Sequence, residues 1–410
     1  MIHPSKVYGV IRVASTVVFI FTVSFLLHLS RLTSSDRRNE ITIREAATED
    51  PNLPKMVLIV TYQRCGSSFF GELFDENIDS FYVYEPVDSY YVAKYSTVEG
   101  LNTPTDISTY WNGSVRIQPV DEIEGVAAHL NDLFTCNMDD LPVQFFNHKY
   151  WYLFAPDFQS SQPEYRKCLR STKKVSAHKC REDHVSTLCP PNLGQDWQSH
   201  AICAGLVDGG HVYKEAMGKY RECINDLRTS IKRCIEISRR NCMASKLRVM
   251  KSVRTSMKSV SLLMQALPSL RVIHLVRDPR GVVLSRMRQP SFRGTASNGS
   301  LTEEAKFFCR DVARELKLRK KLEKQYPGRI MEVIYEKFVQ DPLDYSKKVY
   351  DHIGVPLPDY IEEFIQKNTR GKTDSVAKSL KWQSKLTYGN VLKIKEYCQY
   401  FYENFQHEWT

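Results

Sequence analysis

Two short segments carry residue types and spacings suited to holding anions: Tyr62-Gln-Arg-Cys-Gly-Ser-Ser68, and Arg277-Asp-Pro-Arg-Gly281 continued by Val282-Val-Leu-Ser285. In the first, Gly66, Ser67 and Ser68 are small enough for backbone amides to approach a phosphate, and a helix beginning there adds the partial positive charge of its N-terminus. The two serines add hydroxyl donors, and Arg64 adds a guanidinium fork that matches phosphate oxygens. In the second, Pro279 and Gly281 shape a turn, with Arg277 before it and Ser285 about one helical turn beyond, so that both can reach one phosphate. Either segment alone reads equally well as an ordinary turn, the first with serine caps and the second with a surface Arg-Asp pair. Together, each following an apolar run, they point to a ligand with two separated phosphates. The first loop lacks the Gly-Lys-Ser/Thr ending of a nucleotide-hydrolysing loop, which disfavours magnesium-triphosphate chemistry. No Gly-x-Gly-x-x-Gly occurs, which argues against a dinucleotide fold.

The elements that must position these segments are legible around them. Met56-Val-Leu-Ile-Val-Thr61 and Leu270-Arg-Val-Ile-His-Leu-Val276 are apolar runs of the kind expected for buried parallel strands. Phe69 to Asp75 places Phe69 with Leu73 and Phe70 with Phe74 at i, i+4 spacing, which predicts a helix. Phe81 to Tyr84 and Ile330 to Tyr335 read as further strands. Ser300-Leu-Thr-Glu303 is a capping box opening a helix from Thr302 to about Gln325, stopped by Pro327-Gly328. Its basic end, Lys317 to Lys324, reads as a solvated face. Strands alternating with loops and helices predict an α/β fold with a central parallel sheet flanked by helices.

Composition bounds the rest. With 410 residues, 42% hydrophobic and 25% charged, the chain is a globular protein with one large domain and appendages. The net charge of +10 suits an anionic ligand, but the basic residues are spread along the chain, so nucleic acid is not an expected partner. Of the 11 cysteines, ten follow Cys65, and eight lie at 136, 168, 180, 189, 203, 223, 234 and 242. They fall in or close to residues 95–245, the stretch of weakest periodicity, which reads as a disulfide-held insertion. Ten cysteines can make five disulfides and leave Cys65 free; the metal alternative, Cys180 with His178 and His184, lacks any Cys-x2-Cys pair, so no metal is expected. Sequons at Asn112 and Asn298 agree with an oxidising, glycosylating compartment. Residues 13–30 contain no Asp, Glu, Lys or Arg and read as a signal-anchor helix, after a short tail (1–12) and before a polar stem (31–54). The flanking charges do not settle its orientation; the cysteines and sequons argue that the body, 55–410, is lumenal.

Gln63-Arg-Cys-Gly-Ser-Ser-Phe69 resembles the 5′-phosphosulfate loop of the Golgi carbohydrate sulfotransferases, and Arg277-Asp-Pro-Arg-Gly-Val-Val-Leu-Ser285 resembles their 3′-phosphate segment. The galactose, N-acetylglucosamine and N-acetylgalactosamine 6-O-sulfotransferases are the most similar branch. Phe81-Tyr-Val-Tyr-Glu-Pro86, Lys251-Ser-Val-Arg254, Tyr335-Glu-Lys-Phe-Val-Gln-Asp-Pro342, Trp382 and Cys398 extend the likeness. The resemblance implies a P-loop-NTPase-like sulfotransferase fold, the donor 3′-phosphoadenosine 5′-phosphosulfate, no metal for bond cleavage, a glycan or proteoglycan acceptor, and a single-pass type II Golgi membrane protein. It implies donor contacts from Gln63, Arg64, Cys65, Gly66, Ser67, Ser68 and Phe69, and from Arg277, Asp278, Pro279, Arg280, Gly281, Val282, Val283, Leu284 and Ser285. Arg64 would stabilise charge on the leaving phosphate. Cys65 stands where relatives carry Ser or Thr, and a thiol is the weaker donor. Glu85, after the second strand and before Pro86, takes the position of the family's favoured general base; the alternative is a turn cap or a partner for a basic residue. A Cys309–Cys398 pairing also follows from the likeness. A homo-oligomer is compatible with all of this. Two other functions fit parts of the chain: a nucleotide kinase, against which the missing loop lysine argues, and an inactive glycan-binding protein, against which the intact Arg64, Ser68, Arg277, Ser285 and Glu85 argue.

Overall fold

The computed structural model describes residues 53–95, 121–148, 151, 162–172, 176–185, 210–288, 300–369 and 375–405. The expected tail and signal-anchor, nearly all of the expected stem and both sequon asparagines lie outside the described residues. Among the described residues no helix is long and apolar enough to cross a membrane. Leu53–Thr410 forms one compact unit.

The described residues open with β1 (Lys55–Val60), α1 (Ser67–Asp75), β2 (Ser80–Tyr84) and α2 (Pro86–Tyr95). The insertion follows, with α3 (Glu122–Phe134), α4 (Val143–Phe146), α5 (Pro163–Ser171), α6 (Ala177–His184), α7 (Gly210–Ser230) and α8 (Lys232–Ala244). The chain returns through β3 (Leu247–Ser252), α9 (Met257–Ala266), β4 (Leu270–Val276), α10 (Pro279–Met287), α11 (Leu301–Gln325) and β5 (Ile330–Ile334). It ends with α12 (Tyr335–Gln340), α13 (Pro342–Ile353), α14 (Asp359–Thr369), α15 (Ser375–Leu380), a 3-10 turn (Lys381–Ser384), α16 (Tyr388–Tyr397) and α17 (Gln399–Asn404).

The sheet order is β2-β3-β1-β4-β5, and every pairing is parallel. This is the α/β architecture expected from the apolar runs. Alternation along β1 divides the core: Val57 and Ile59 pack with Phe70, Leu73 and Phe74 of α1 and with α12 to α14, whereas Leu58 and Val60 face α3 and α9. The connection after β1 runs toward β2, and the connection after β4 runs toward β5. The strand order therefore reverses between β1 and β4, and open α/β sheets hold ligands outside the carboxyl ends of such a pair.

One central strand escaped the apolar-run reading. β3, Leu-Arg-Val-Met-Lys-Ser, is buried along its whole length despite two cations. Arg248 donates to the carbonyls of Phe134 (2.7 Å) and Cys242 (3.2 Å), and Lys251 pairs with a carboxylate, so each charge is satisfied inside the core. Among the described residues three disulfides brace the insertion: Cys136–Cys242, Cys168–Cys234 and Cys180–Cys223. Cys180 is thereby removed as a zinc ligand. Cys309–Cys398 ties α11 to the C-terminal segment, as the family likeness implies, and Cys65 is free and buried. Ser300 caps α11 through the Glu303 amide. Lys317 and Lys320 of that helix lie over the Tyr400 ring, at 4.8 and 5.9 Å.

Candidate functional site

β1 and β4 are hydrogen-bonded neighbours, so the loops that follow them leave the sheet side by side at its carboxyl edge. The first loop turns sharply because Arg64 and Gly66 both take positive φ, 73° and 81°. At Gly66 a side chain is excluded twice over: by the backbone, and because a Cβ would lie 2.1 Å from Cε2 of Tyr335. α1 starts at the next residue, so its unpaired first-turn amides surround the loop. Ser67 is buried and Ser68 half-buried. Beneath the loop, the Tyr62 hydroxyl lies 2.9 Å from His274 Nε2 on β4, and burial holds that imidazole well below its usual pKa.

The second loop is organised by Asp278, which caps α10 by accepting from the Arg280 amide (2.8 Å) and pairs with the Arg280 guanidinium (2.6 Å). Arg280 stacks on Trp382 at 3.8 Å, and Tyr402 donates to Asp278 at 3.1 Å, so the C-terminal segment packs onto this turn. Arg277 crosses to the first loop: its Nη1 donates to the Arg64 carbonyl at 2.9 Å, and its guanidinium lies over the Tyr335 ring at 4.8 Å. Arg64 reaches back, with Nε donating to Ser285 Oγ at 2.9 Å. The two loops thus form one joined surface.

Arg286 completes that join, and sequence reasoning gave it no role. Its buried guanidinium donates to the Gln63 carbonyl (3.3 Å) and pairs with Glu304 of α11 (2.8 Å). Its only signal was its place one residue after Ser285. Burial, together with the Arg277 and Arg286 charges, lowers the pKa of Arg64. Three crowded guanidiniums repel one another, and a polyanion beside Arg64 would relieve that repulsion. Glu336 sits under the second loop, accepting from the Asp278 amide and 3.7 Å from Arg277 Nε; burial first, then the Asp278 charge, pushes its carboxyl up to about 8.

Several residues of the two segments shape the site rather than facing it. Val282 and Val283 are core residues without exposed surface, and Phe69 packs on Phe338 at 5.3 Å. Pro279 occupies the first turn of α10, and a Cβ on Gly281 would come 3.2 Å from the Arg277 guanidinium. Cys65 points into the core, where burial pushes its thiol up to about 11; only its backbone belongs to the loop surface. Asp278 and Arg280 satisfy each other, which leaves Arg64, Ser68, Arg277, Leu284 and Ser285 as side chains with access.

Glu85 ends β2 at the same edge, two strand positions from β1, in a left-handed conformation with φ 51°. It is buried and fully engaged. Oε1 accepts from Lys251 Nζ (2.6 Å), Oε2 accepts from Arg254 Nη1 (3.0 Å), and the Val253 amide donates to both oxygens at 3.1 Å. Pairing with basic residues, the alternative considered for this residue, describes its state here. Lys251 and Arg254 carry no role from spacing alone; their signal was the Lys251-Ser-Val-Arg254 likeness.

Residues 157–359 match the model of a sulfotransferase family. Carbohydrate sulfotransferase 1 of Rattus norvegicus is 24% identical over 371 residues, spanning 84% of this chain and 77% of the relative. Carbohydrate sulfotransferase 2 of Homo sapiens is 24% identical over 398 residues, 84% of this chain and 63% of its own. A shorter match, 37% over 117 residues, links 26% of this chain to 25% of carbohydrate sulfotransferase 3 of Rattus norvegicus. Both anion turns, the parallel sheet that sets them side by side and these relatives agree: the chain belongs to the carbohydrate sulfotransferases and is a sulfotransferase enzyme.

Proposed function

We propose that the enzyme moves a sulfuryl group from 3′-phosphoadenosine 5′-phosphosulfate to the 6-hydroxyl of galactose, N-acetylgalactosamine or N-acetylglucosamine in a glycan or glycosaminoglycan of keratan or chondroitin type. It does so as a type II Golgi membrane protein with a lumenal catalytic body. The observation that carries this reading is the joining of the two anion turns, Arg64 to Ser285 and Arg277 to the Arg64 carbonyl, each at 2.9 Å. The residues present suit the donor. Arg64, Ser68 and the first-turn amides of α1 hold the 5′-phosphosulfate, and Arg277 with Ser285 holds the 3′-phosphate. Arg277 Nε is buried without a hydrogen-bond partner among the described residues, and the nearest carboxylate, Glu336, stands 3.7 Å away, beyond hydrogen-bond range.

The donor supplies a sulfur centre from which the 5′-phosphate departs. Negative charge then grows on the bridging oxygen, where Arg64 and the loop amides stabilise it in place, without reorganisation. Glu85 takes the acceptor hydroxyl's proton on Oε1. That oxygen accepts from Lys251 and from the Val253 amide in the resting arrangement, so Lys251 must first swing away to admit the hydroxyl.

The test offers the full chain radiolabelled phosphosulfate donor with desulfated keratan, desulfated chondroitin or N-acetylglucosamine-terminated glycans, and maps the transferred sulfate. Label at C6 of one sugar is expected; label at another position would overturn the regiochemistry. Glu85→Gln should lose turnover by on the order of 100-fold or more while still binding 3′,5′-adenosine bisphosphate, and near-normal turnover would remove Glu85 as the base.

A further inference from the structure

A run of buried ion pairs leads away from Glu85 and ends against His148 of the cysteine-rich insertion. Lys251 pairs with Glu85 Oε1, and Arg254 Nη1 with Glu85 Oε2. The other arm of the Arg254 fork, Nη2, reaches Asp88 Oδ1 at 3.2 Å, and Asp88 Oδ2 lies 3.0 Å from His148 Nε2. The side chains of Lys251, Glu85 and Asp88 are 1–2% exposed, and those of Arg254 and His148 are 9% and 10% exposed. Buried charges in this density are costly unless each is placed against an opposite one, so the order of the run constrains every member.

The backbone locks the run to the sheet edge. The Glu85 amide donates to the Lys251 carbonyl at 2.8 Å, and the Asp88 amide donates to the Glu85 carbonyl at 3.1 Å. Between them, the Pro86 carbonyl accepts from Ser89 Oγ (2.7 Å) and meets His129 Nε2 (3.0 Å). Burial lowers the His129 pKa to about 4, so this imidazole is a neutral donor at working pH and adds no charge. Glu122, also packed on α2, is taken by the Tyr91 hydroxyl at 2.7 Å.

We propose that Asp88 is a positioning residue for the proton-transfer step, acting on Glu85 through Arg254, and that His148 of the insertion holds Asp88 in register. This rests on the reading of Glu85 as the base. Arg254 divides its charge between two carboxylates. Asp88 draws one arm of the guanidinium toward α2, which keeps the other arm on Oε2, so that once Lys251 moves Oε1 carries only the neutral Val253 amide. Without the Asp88 charge, Arg254 turns wholly onto Glu85 and disfavours proton uptake. The insertion thereby supplies part of the catalytic apparatus.

The experiment uses the full chain, with kcat normalised to the number of 3′,5′-adenosine bisphosphate sites. Asp88→Asn is expected to lower kcat on the order of 10- to 100-fold while the donor KM stays within about twofold. The acid limb of its pH–rate profile should move to lower pH, a shift that a structural defect would not produce. Combined with Arg254→Gln, Asp88→Asn should cost nothing further, because its effect passes through Arg254. A folded Asp88→Asn enzyme with wild-type kcat and acid limb would overturn the proposal. Should that variant not fold, His148→Gln carries the test: a several-fold loss of kcat at constant donor KM supports the proposal, and unchanged kcat overturns it. An inactive Glu85→Gln beside a normal Asp88→Asn refutes this inference alone, whereas an active Glu85→Gln refutes the base and this inference with it.

Discussion

Gly66→Ala is the sharpest single test of how the first loop is built. The change meets two separate obstacles. At φ 81° an L-residue with a Cβ costs about 1–2 kcal/mol over glycine. The new methyl would also lie 2.1, 2.3 and 2.8 Å from Cε2, Cδ2 and Cζ of Tyr335, so the ring must move by more than 1 Å to reach ordinary contact. That ring is buried beneath Arg277, and forcing extra volume into such a place costs roughly 1–3 kcal/mol more. The total, about 2–5 kcal/mol, is a large share of the 5–15 kcal/mol typical of a folded domain. Because Arg277 rides on Tyr335 and donates to the Arg64 carbonyl, the displacement also reaches the anion surface. Calorimetric unfolding should therefore show a clearly lowered midpoint, and titration with 3′,5′-adenosine bisphosphate should show affinity weakened by at least about tenfold. The offending atoms belong to the ring rather than the hydroxyl, so Tyr335→Phe should give Gly66→Ala no relief, whereas Tyr335→Ala should relieve the steric part. A Gly66→Ala protein with wild-type midpoint and affinity, or relief by Tyr335→Phe equal to that by Tyr335→Ala, would refute the reasoning.

Two further outcomes follow from the same structure. Replacing Cys309 and Cys398 with serine opens a link across a sequence separation of 89 and should cost about 2–5 kcal/mol in denaturant unfolding; an unchanged midpoint would show that the C-terminal segment is held without it. Glu336 has its carboxyl raised from 4.5 to about 8 in the folded state, so its protonated form favours folding. Its stabilising contribution is complete below pH 4.5 and is lost as pH rises through about 8; Glu336→Gln should flatten the stability–pH curve across that window, and an unchanged slope would exclude Glu336 as its source.

Local composition was sufficient wherever a segment's fate depends on its own residues. The runs at 56–61 and 270–276 announced buried strands because apolar residues dominate them, and Gly66 with its serines announced a loop suited to an anion. β3 stayed hidden for the opposite reason: Arg248 and Lys251 look solvent-seeking until carbonyls from 134 and 242 and the carboxylate at 85 come round to satisfy them. Val282 and Val283 match a donor-binding segment by position, yet they face the core, since helical periodicity turns alternate positions of one motif in opposite directions.

The sequence by itself determined that the chain is an α/β protein with two turns suited to anions and a cysteine-rich insertion, and these follow from residue type and order along the chain. Only the tertiary structure decided that the two turns meet through Arg64, Ser285, Arg277 and Arg286, and that Glu85 is held by Lys251 and Arg254 with Asp88 and His148 behind them. The reason is electrostatic: a side chain's charge is written in the sequence, but its partner is chosen by which residues the fold brings within about 3 Å once water is excluded, and those partners lie up to 223 positions apart.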